Sequence, residues 1–293
     1  NLTDFPDPFV LDNTARDGYY YIYGTWGAFR CFRSKNLMDW ELCGEVLQQY
    51  RENNRIWDSV NGKYSYQLLG SDLWAPEVVY DDETKLYYMF FSASPDRKGE
   101  AVKGAATEQL MVATSTSPTG PFTPVNFKNA QSCGVGNLHT YNTSTYPDYF
   151  APYLFLDPAQ NQAFSVANNN GQWRGESNGG YLGAIDAHPY VAPDGTKYLL
   201  WVDSRGEDRI CGVEMENWLK PKWETATVLT YYSYYTVNDW KNGSTNKVSY
   251  ENYTTTNEGP FVLEHNGKYY LTYSANNWKN NSYLVAQAVA DNV

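Results

Sequence analysis

The chain is short of the residues that mark several large classes of protein. Lys and Arg number 22 against 33 Asp and Glu, a net charge of −11, and no basic run occurs. A nucleic-acid surface needs clustered Lys and Arg, so nucleic acid is not an expected partner. No apolar run approaches the length of a membrane span, so a membrane is not one either. The N-terminus lacks the charged and apolar regions of a signal peptide, which leaves a removed leader and secretion, or a cytoplasmic protein. Only four cysteines occur (Cys31, Cys43, Cys133 and Cys211), with no CxxC or zinc-type spacing. Cys31 and Cys43 flank a short connection across which they can pair; Cys133 and Cys211 are too separated to assign. Met is equally scarce.

Aromatic residues are abundant instead, 17% of the chain, led by 27 Tyr and 10 Trp. Tyr and Trp favour pleated, half-buried surfaces, so the expected fold is all-β. Their flat rings also stack on sugar faces, although core packing accounts for most of them. Asn-x-Ser/Thr sequons at Asn1, Asn142, Asn242, Asn252 and Asn280 fit secretion from a eukaryotic source.

The aromatics fall into four similar units. Each opens with an acid or proline, continues as an apolar strand, turns, and returns as an aromatic strand. Pro6-Asp7-Pro8-Phe9 leads to a turn at Arg16-Asp17-Gly18, with strands expected near 29–32 and 40–42. Trp74-Ala75-Pro76-Glu77 leads to a turn at 81–84, then strands at 86–93 and 109–114. Ile185-Asp186-Ala187-His188-Pro189 leads to Pro193-Asp194-Gly195, then strands at 197–203 and 210–213, with Trp223-Glu224 near a fourth. Glu258-Gly259-Pro260-Phe261 leads to Asn266-Gly267, then strands at 268–275 and 282–289. Asn-Gly and Asp-Gly between apolar runs are strong hairpin signals. The connections 46–72 and 230–256 read as polar loops, and 126–180, with one strand expected at 153–156, as an insertion that walls a pocket.

Short four-stranded units in series indicate a β-propeller, in which the first strand of each unit lies innermost. Residues at the heads of those strands then converge at one mouth. Aligned on Pro8, Pro76, Pro189 and Pro260, the converging residues are Asp7, Ala75, Asp186 and Glu258. Convergent carboxylates suit glycoside hydrolysis: a protonated acid serves the leaving oxygen while an ionised carboxylate activates water. Inversion needs the two roughly 6.5–9.5 Å apart, and the acid's pKa must be raised by burial or a negative neighbour. Glu77, two residues past the aligned position, is left out of this set. Singly, each residue has a plainer reading: an Asp before Pro commonly caps a turn, Glu258 suits a solvated loop, and His265 suits an exposed hairpin turn.

The four motifs, in order and each on a hairpin, resemble glycoside hydrolase family 43. The resemblance implies a five-bladed propeller, here a single catalytic domain over 1–293 with an insertion at about 126–180. It implies inverting hydrolysis of arabinose- or xylose-containing oligo- and polysaccharides. Asp7 is then the expected general base, Glu258 the general acid, and Asp186 the carboxylate that raises and orients the acid. Trp74 is the expected aromatic of the terminal sugar subsite, with Ala75 and Phe91 as further pocket candidates. Trp26 is either a stacking face or core, and His188 either lines the funnel or joins water around a metal. No cofactor is required by the resemblance, and a structural calcium ion is compatible with it. Four units are readable where five are implied, so the missing blade is expected from unread segments or from chain beyond 293. The long connections favour an exo-acting α-L-arabinofuranosidase or β-xylosidase, with an endo-arabinanase or a non-catalytic sugar-binding propeller as alternatives.

Overall fold

Runs of Tyr, Val, Ile and Phe between turn residues form strands, and each strand pairs with its neighbour in sequence. The computed structural model describes residues 5–25, 27–47, 56–58, 63–65, 73–93, 109–124, 184–203, 208–230, 236–239, 244–247, 256–276 and 283–293. Trp26, Cys133, the insertion with its expected strand, and the five sequons lie outside the described residues.

The first sheet runs in the order β1 (Phe9–Asp12), β2 (Tyr20–Gly24), β3 (Arg30–Ser34) and β4 (Glu41–Glu45). The turn between β1 and β2 is a single helical turn, α1 (Thr14–Asp17), closed by Gly18 at φ +80°. A hairpin of β5 (Ile56–Asp58) and β6 (Lys63–Ser65) comes next. The second sheet contains β7 (Leu73–Asp81), β8 (Leu86–Ala93), β9 (Gln109–Ser115) and β10 (Thr123–Pro124). The third contains β11 (Ala184–Val191), β12 (Lys197–Asp203), β13 (Arg209–Asn217) and β14 (Lys220–Pro221), with β15 (Thr227–Val228) also on β13. A second hairpin, β16 (Thr236–Asp239) with β17 (Ser244–Lys247), precedes the fourth sheet of β18 (Asn257–His265), β19 (Lys268–Ala275) and β20 (Leu284–Ala290). Asn266 and Gly267 both take positive φ, +54° and +71°, as the tight turn between β18 and β19 requires.

Two expectations are corrected. The connections 46–72 and 230–256, read as loops, carry the hairpins β5–β6 and β16–β17. Trp223 and Glu224 do lie near the fourth strand of their unit, in a short 3-10 helix just after β14. Cys31 and Cys43 do come together on the neighbouring strands β3 and β4, but as free thiols, Cys31 Sγ donating to the Phe32 carbonyl at 3.7 Å and Cys43 Sγ to the Glu41 carbonyl at 3.8 Å.

Alternation along the middle strands explains how the sheets stack. On β8, Tyr87, Met89 and Phe91 face the first sheet, joining Tyr21, Tyr23, Phe29 and Cys31 in one core. Tyr88 and Phe90 face the other way, packing with Leu199, Trp201 and Trp218 of the third sheet. On β12 the same alternation sends Leu200 and Val202 toward Val262, Leu271 and Tyr273 of the fourth sheet. A strand buried on both faces cannot show a polar side, which is why β8 and β12 read as continuous apolar runs. Each large side chain so buried contributes about 1.5–3 kcal/mol. The first strands are also neighbours in series: β1 touches β7, β7 touches β11, and β11 touches β18. Face-to-face stacking of successive sheets, with their first strands together, is the radial arrangement of a propeller.

Candidate active site

The first strand of each unit is irregular at its head. Register shifts fall between Trp74 and Glu77, Ile185 and His188, and Glu258 and Phe261. At the same places the backbone turns left-handed: Asp7 at φ +48°, Ala75 at +46°, Asp186 at +54° and Gly259 at +59°. Positive φ costs a non-glycine residue roughly 1–3 kcal/mol, and such strain clusters at functional sites. The bulges also correct the expected alignment. Ala187, not Pro189, stands where Pro8, Pro76 and Pro260 stand, and Gly259 rather than Glu258 matches Asp7 and Asp186. The unusual spacing of the third motif therefore leaves its backbone equivalent to the others.

A bulge frees an amide N–H from the strand ladder, and a buried N–H needs a new acceptor. The preceding sheet supplies one each time. The Ala75 amide donates to Thr25 Oγ1 at 2.8 Å, and the Asp186 amide to Ser92 Oγ at 3.0 Å. Ser92 lies opposite Trp74, and Thr25 lies opposite Pro6, to whose carbonyl its amide donates at 2.9 Å. The third sheet has Val202 at the matching place, opposite Ile185. There the Asp186 carboxylate takes over, its Oδ2 accepting from the Gly259 amide at 2.9 Å.

These links bring the carboxylates of three sheets into mutual range. Burial raises the Asp186 carboxyl to about 8, and the negative charges of Glu258, Asp7 and Glu77 push in the same direction against the Gly259 hydrogen bond. Burial likewise raises Glu258; the Asp7 charge adds to this, and a hydrogen bond from Tyr283 opposes it. Tyr283, not foreseen from sequence, donates to Glu258 Oε1 at 2.6 Å. Asp7 is exposed, and its Oδ2 accepts from the Thr25 hydroxyl at 2.5 Å. Asp186 was expected to raise Glu258; burial and the Asp7 charge raise Glu258, while burial and then the Glu258 charge take Asp186 itself to about 8. Repulsion is mutual, so such a pair loses its protons in sequence, one carboxyl holding a proton after the other has ionised.

Two of the expected substrate contacts are placed elsewhere. Phe91 has no exposure, and its ring meets Phe29 edge-on at 5.2 Å, so it is core between the first two sheets rather than pocket wall. His188 is 3% exposed, with both ring nitrogens engaged. Its Nε2 accepts from the Val262 amide at 3.0 Å, so its Nδ1 carries the hydrogen and donates to Glu77 Oε2 at 2.7 Å. No ring nitrogen remains for a sugar or a metal, and calcium in any case prefers oxygen ligands. Among the described residues no group of three His, Cys, Asp or Glu side chains is arranged to hold a metal ion. His188 thus gives no support to the calcium expectation. Glu77, left out of the catalytic set, braces His188 across the second and third sheets. Trp74 and Ala75 are partly buried at the head of β7, beside the cluster, and His265 is exposed in its turn.

Comparison with known proteins gives the family of the chain. The sequence profile described as Glycosyl hydrolases family 43 matches residues 2–137 and 153–293. Arabinan endo-1,5-alpha-L-arabinosidase C of Emericella nidulans is 34% identical over 92 residues, covering 31% of this chain and 25% of that protein. An extracellular endo-alpha-(1->5)-L-arabinanase of Thermotoga petrophila is 26% identical over 152 residues, covering 48% of this chain and 30% of that protein. The matches thus span under a third of the length of these two relatives. A crystal structure of a thermostable family-43 glycoside hydrolase superposes with TM-score 0.58 at 28% identity, covering 98% of this chain and 69% of that one.

Proposed function

Because the chain belongs to glycosyl hydrolases family 43, we propose that it hydrolyses arabinose- or xylose-containing polysaccharides by inversion, with Glu258 as general acid and Asp7 as general base. The observation that carries this reading is the cluster itself: three carboxyl groups from three strand heads bent the same way, two of them, Asp186 and Glu258, raised by burial and by neighbouring negative charge. Glu258, raised by burial, is the group suited to give a proton to the leaving oxygen. Asp7, exposed and held through one oxygen by Thr25, has its other oxygen for water. Asp186 ties the cluster to the acid's strand through Gly259 and shares the titration of the pair with Glu258. Trp74 at the head of β7 is the aromatic platform for a sugar ring, beside Ala75. A sugar-binding propeller without turnover would have no use for a carboxyl kept protonated near neutral pH.

Between exo and endo action, one observation favours the second. Both curated relatives described above carry endo-arabinanase names, while the pocket walls that favoured exo action lie largely outside the described residues. The substrate we assign is therefore α-1,5-linked arabinan, cut internally. The extracellular relative supports an extracellular site of action.

The test is hydrolysis of linear α-1,5-arabinan, xylan, and the nitrophenyl α-L-arabinofuranoside and β-xyloside, by wild type and Glu258→Gln. The expected result is a rapid fall in arabinan viscosity with few new ends, slow turnover of the nitrophenyl glycosides, and a loss of about 10²–10⁴-fold on arabinan in the variant. Fast nitrophenyl hydrolysis with unchanged viscosity would restore the exo reading. Ligand binding without turnover of any substrate would support the binding module.

A further inference from the structure

We propose that Tyr283 is the positioning residue of the acid: it pins Glu258 through Oε1 and leaves Oε2 to carry the proton delivered to the leaving oxygen. The proposal rests on the reading of Glu258 as general acid. The Tyr283 hydroxyl donates to Glu258 Oε1 at 2.6 Å. Ser274 lies beside Tyr283 and lowers the phenol's pKa, against burial and the Glu258 charge. Ser274 lies directly opposite Glu258 in the β18–β19 pair, and Tyr283 immediately precedes β20, whose Leu284 lies opposite Ala275. One sheet therefore holds all three, Ser274, Tyr283 and Glu258.

Register places Ser274 in a recurring position. Thr25 and Ser92 take the place opposite the last residue before the kink in the first two sheets, and there each accepts the next sheet's freed amide. Ser274 holds the same place in the fourth sheet, beside Tyr283.

The chemistry follows from counting protons. An oxygen that accepts the phenolic hydrogen is the poorer place for the acid's own proton, so that proton sits on Oε2. When it leaves for the glycosidic oxygen, Glu258 becomes a carboxylate, and the Tyr283 hydrogen bond becomes charge-assisted and stronger. Stabilisation that grows with developing charge lowers the barrier rather than only tightening binding. Two other acids face this carboxyl: Asp7 from the first sheet, whose charge raises it, and Asp186 from the third, which feels the Glu258 charge and in turn that of Glu77 of the second. Against burial and the Asp7 charge, the Tyr283 hydrogen bond favours the ionised form. Burial and the Glu258 charge both raise the phenol's own pKa, so it stays a donor throughout the working range.

The test compares wild type, Tyr283→Phe, Ser274→Ala and Glu258→Gln, all as the full chain. Glutamate labelled with ¹³C at the carboxyl carbon is titrated by NMR, and the Glu258 signal is identified by its loss in Glu258→Gln. The same proteins are assayed across pH on linear α-1,5-arabino-oligosaccharide, on xylo-oligosaccharide, and on a dinitrophenyl α-L-arabinofuranoside, whose leaving group needs no proton. In Tyr283→Phe the Glu258 titration is expected to move to higher pH, and the basic limb of kcat/KM with it. Turnover of the cleaved oligosaccharide is expected to fall about 10- to 100-fold, with little change on the dinitrophenyl glycoside. Ser274→Ala should move both in the same direction by less. Tyr283 is 41% exposed, so loss of one hydroxyl is expected to leave the melting temperature unchanged. An unmoved Glu258 titration in a folded Tyr283→Phe overturns the proposal, as do equal losses on both leaving groups. Full oligosaccharide turnover by Glu258→Gln overturns the acid assignment instead, a separate outcome.

Discussion

Asp186 shows how much one side chain can be asked to carry. Its backbone is left-handed, its amide is tied to Ser92, its carboxylate holds Gly259, and its pKa is raised to about 8. An ordinary Asp in the unfolded chain ionises near 3.9. Between about pH 4 and pH 8 the unfolded chain therefore gives up a proton that the folded chain keeps, and stability falls as pH rises through that window. Below about pH 4 both states are protonated and the effect vanishes. Asp186→Asn keeps the oxygen that receives the Gly259 amide and cannot ionise. Its melting temperature is expected to exceed that of wild type by a margin that grows from pH 4 to 8, at about 2–4 °C per kcal/mol relieved. Calorimetry at pH 4.5, 6 and 8 reads this, and a margin independent of pH would count against the raised carboxyl. Turnover should fall in the same variant, because Asp186 and Glu258 titrate as a pair and Asn cannot take its part in that pair.

At the level of the strand, the informative unit is the kinked head together with the hydroxyl that receives its amide. Thr25 does two things at once, donating to Asp7 Oδ2 and accepting from Ala75. It stands just after β2, where alternation and propensity give no hint of either role. Thr25→Val keeps the shape and removes both hydrogen bonds. The expected loss is about 1–3 kcal/mol of stability, from the orphaned Ala75 amide, together with a drop in kcat from a mis-aimed base. Thr25→Ser, retaining the hydroxyl, should restore both. Urea unfolding and arabinan turnover measure the pair, and a Val variant indistinguishable from wild type would show the link to be idle.

The sheets of the whole molecule are held by more than their apolar faces. Lys197 on β12 meets Asp81 at the end of β7 at 3.1 Å, with side-chain exposures of 13% and 6%. Burial pushes Asp81 up, but hydrogen bonds from Thr84 and the Lys197 ammonium outweigh it, and the carboxyl ends below its usual value. Its contribution is thus present above about pH 4 and is lost as pH falls through the lowered value. Lys197→Met leaves the Asp81 carboxylate without its counter-ion, though still held by Thr84, and is expected to cost about 1.5–3 kcal/mol at pH 7. Denaturant midpoints should show that cost shrinking below pH 4, and a constant difference would argue that lost packing, not charge, is responsible. The fourth sheet exposes Leu263, Leu284, Val285 and Val289, and its outer face carries no core cluster among the described residues.

Local chemistry in the sequence determined most of the strands and their turns. Asn266-Gly267 can only be a tight turn, the apolar runs of β8 and β12 can only be doubly buried strands, and period two sets which ring joins which core. The sequence also named the three acids, since each stands at the head of a first strand. Tertiary structure decided what no window of neighbouring residues contains. Phe91 and His188 sit on strands suited to a pocket, yet alternation from the bulge sends one into the core and the other onto Glu77. The match of Gly259, rather than Glu258, with Asp7 and Asp186 depends on register shifts that leave no mark in composition. Thr25, Ser92 and Tyr283 matter because a kinked strand on another sheet, or a carboxylate on a neighbouring strand, needs a hydroxyl there. A hydrogen bond between residues distant in sequence is fixed by packing, and it becomes visible only when the sheets are placed side by side.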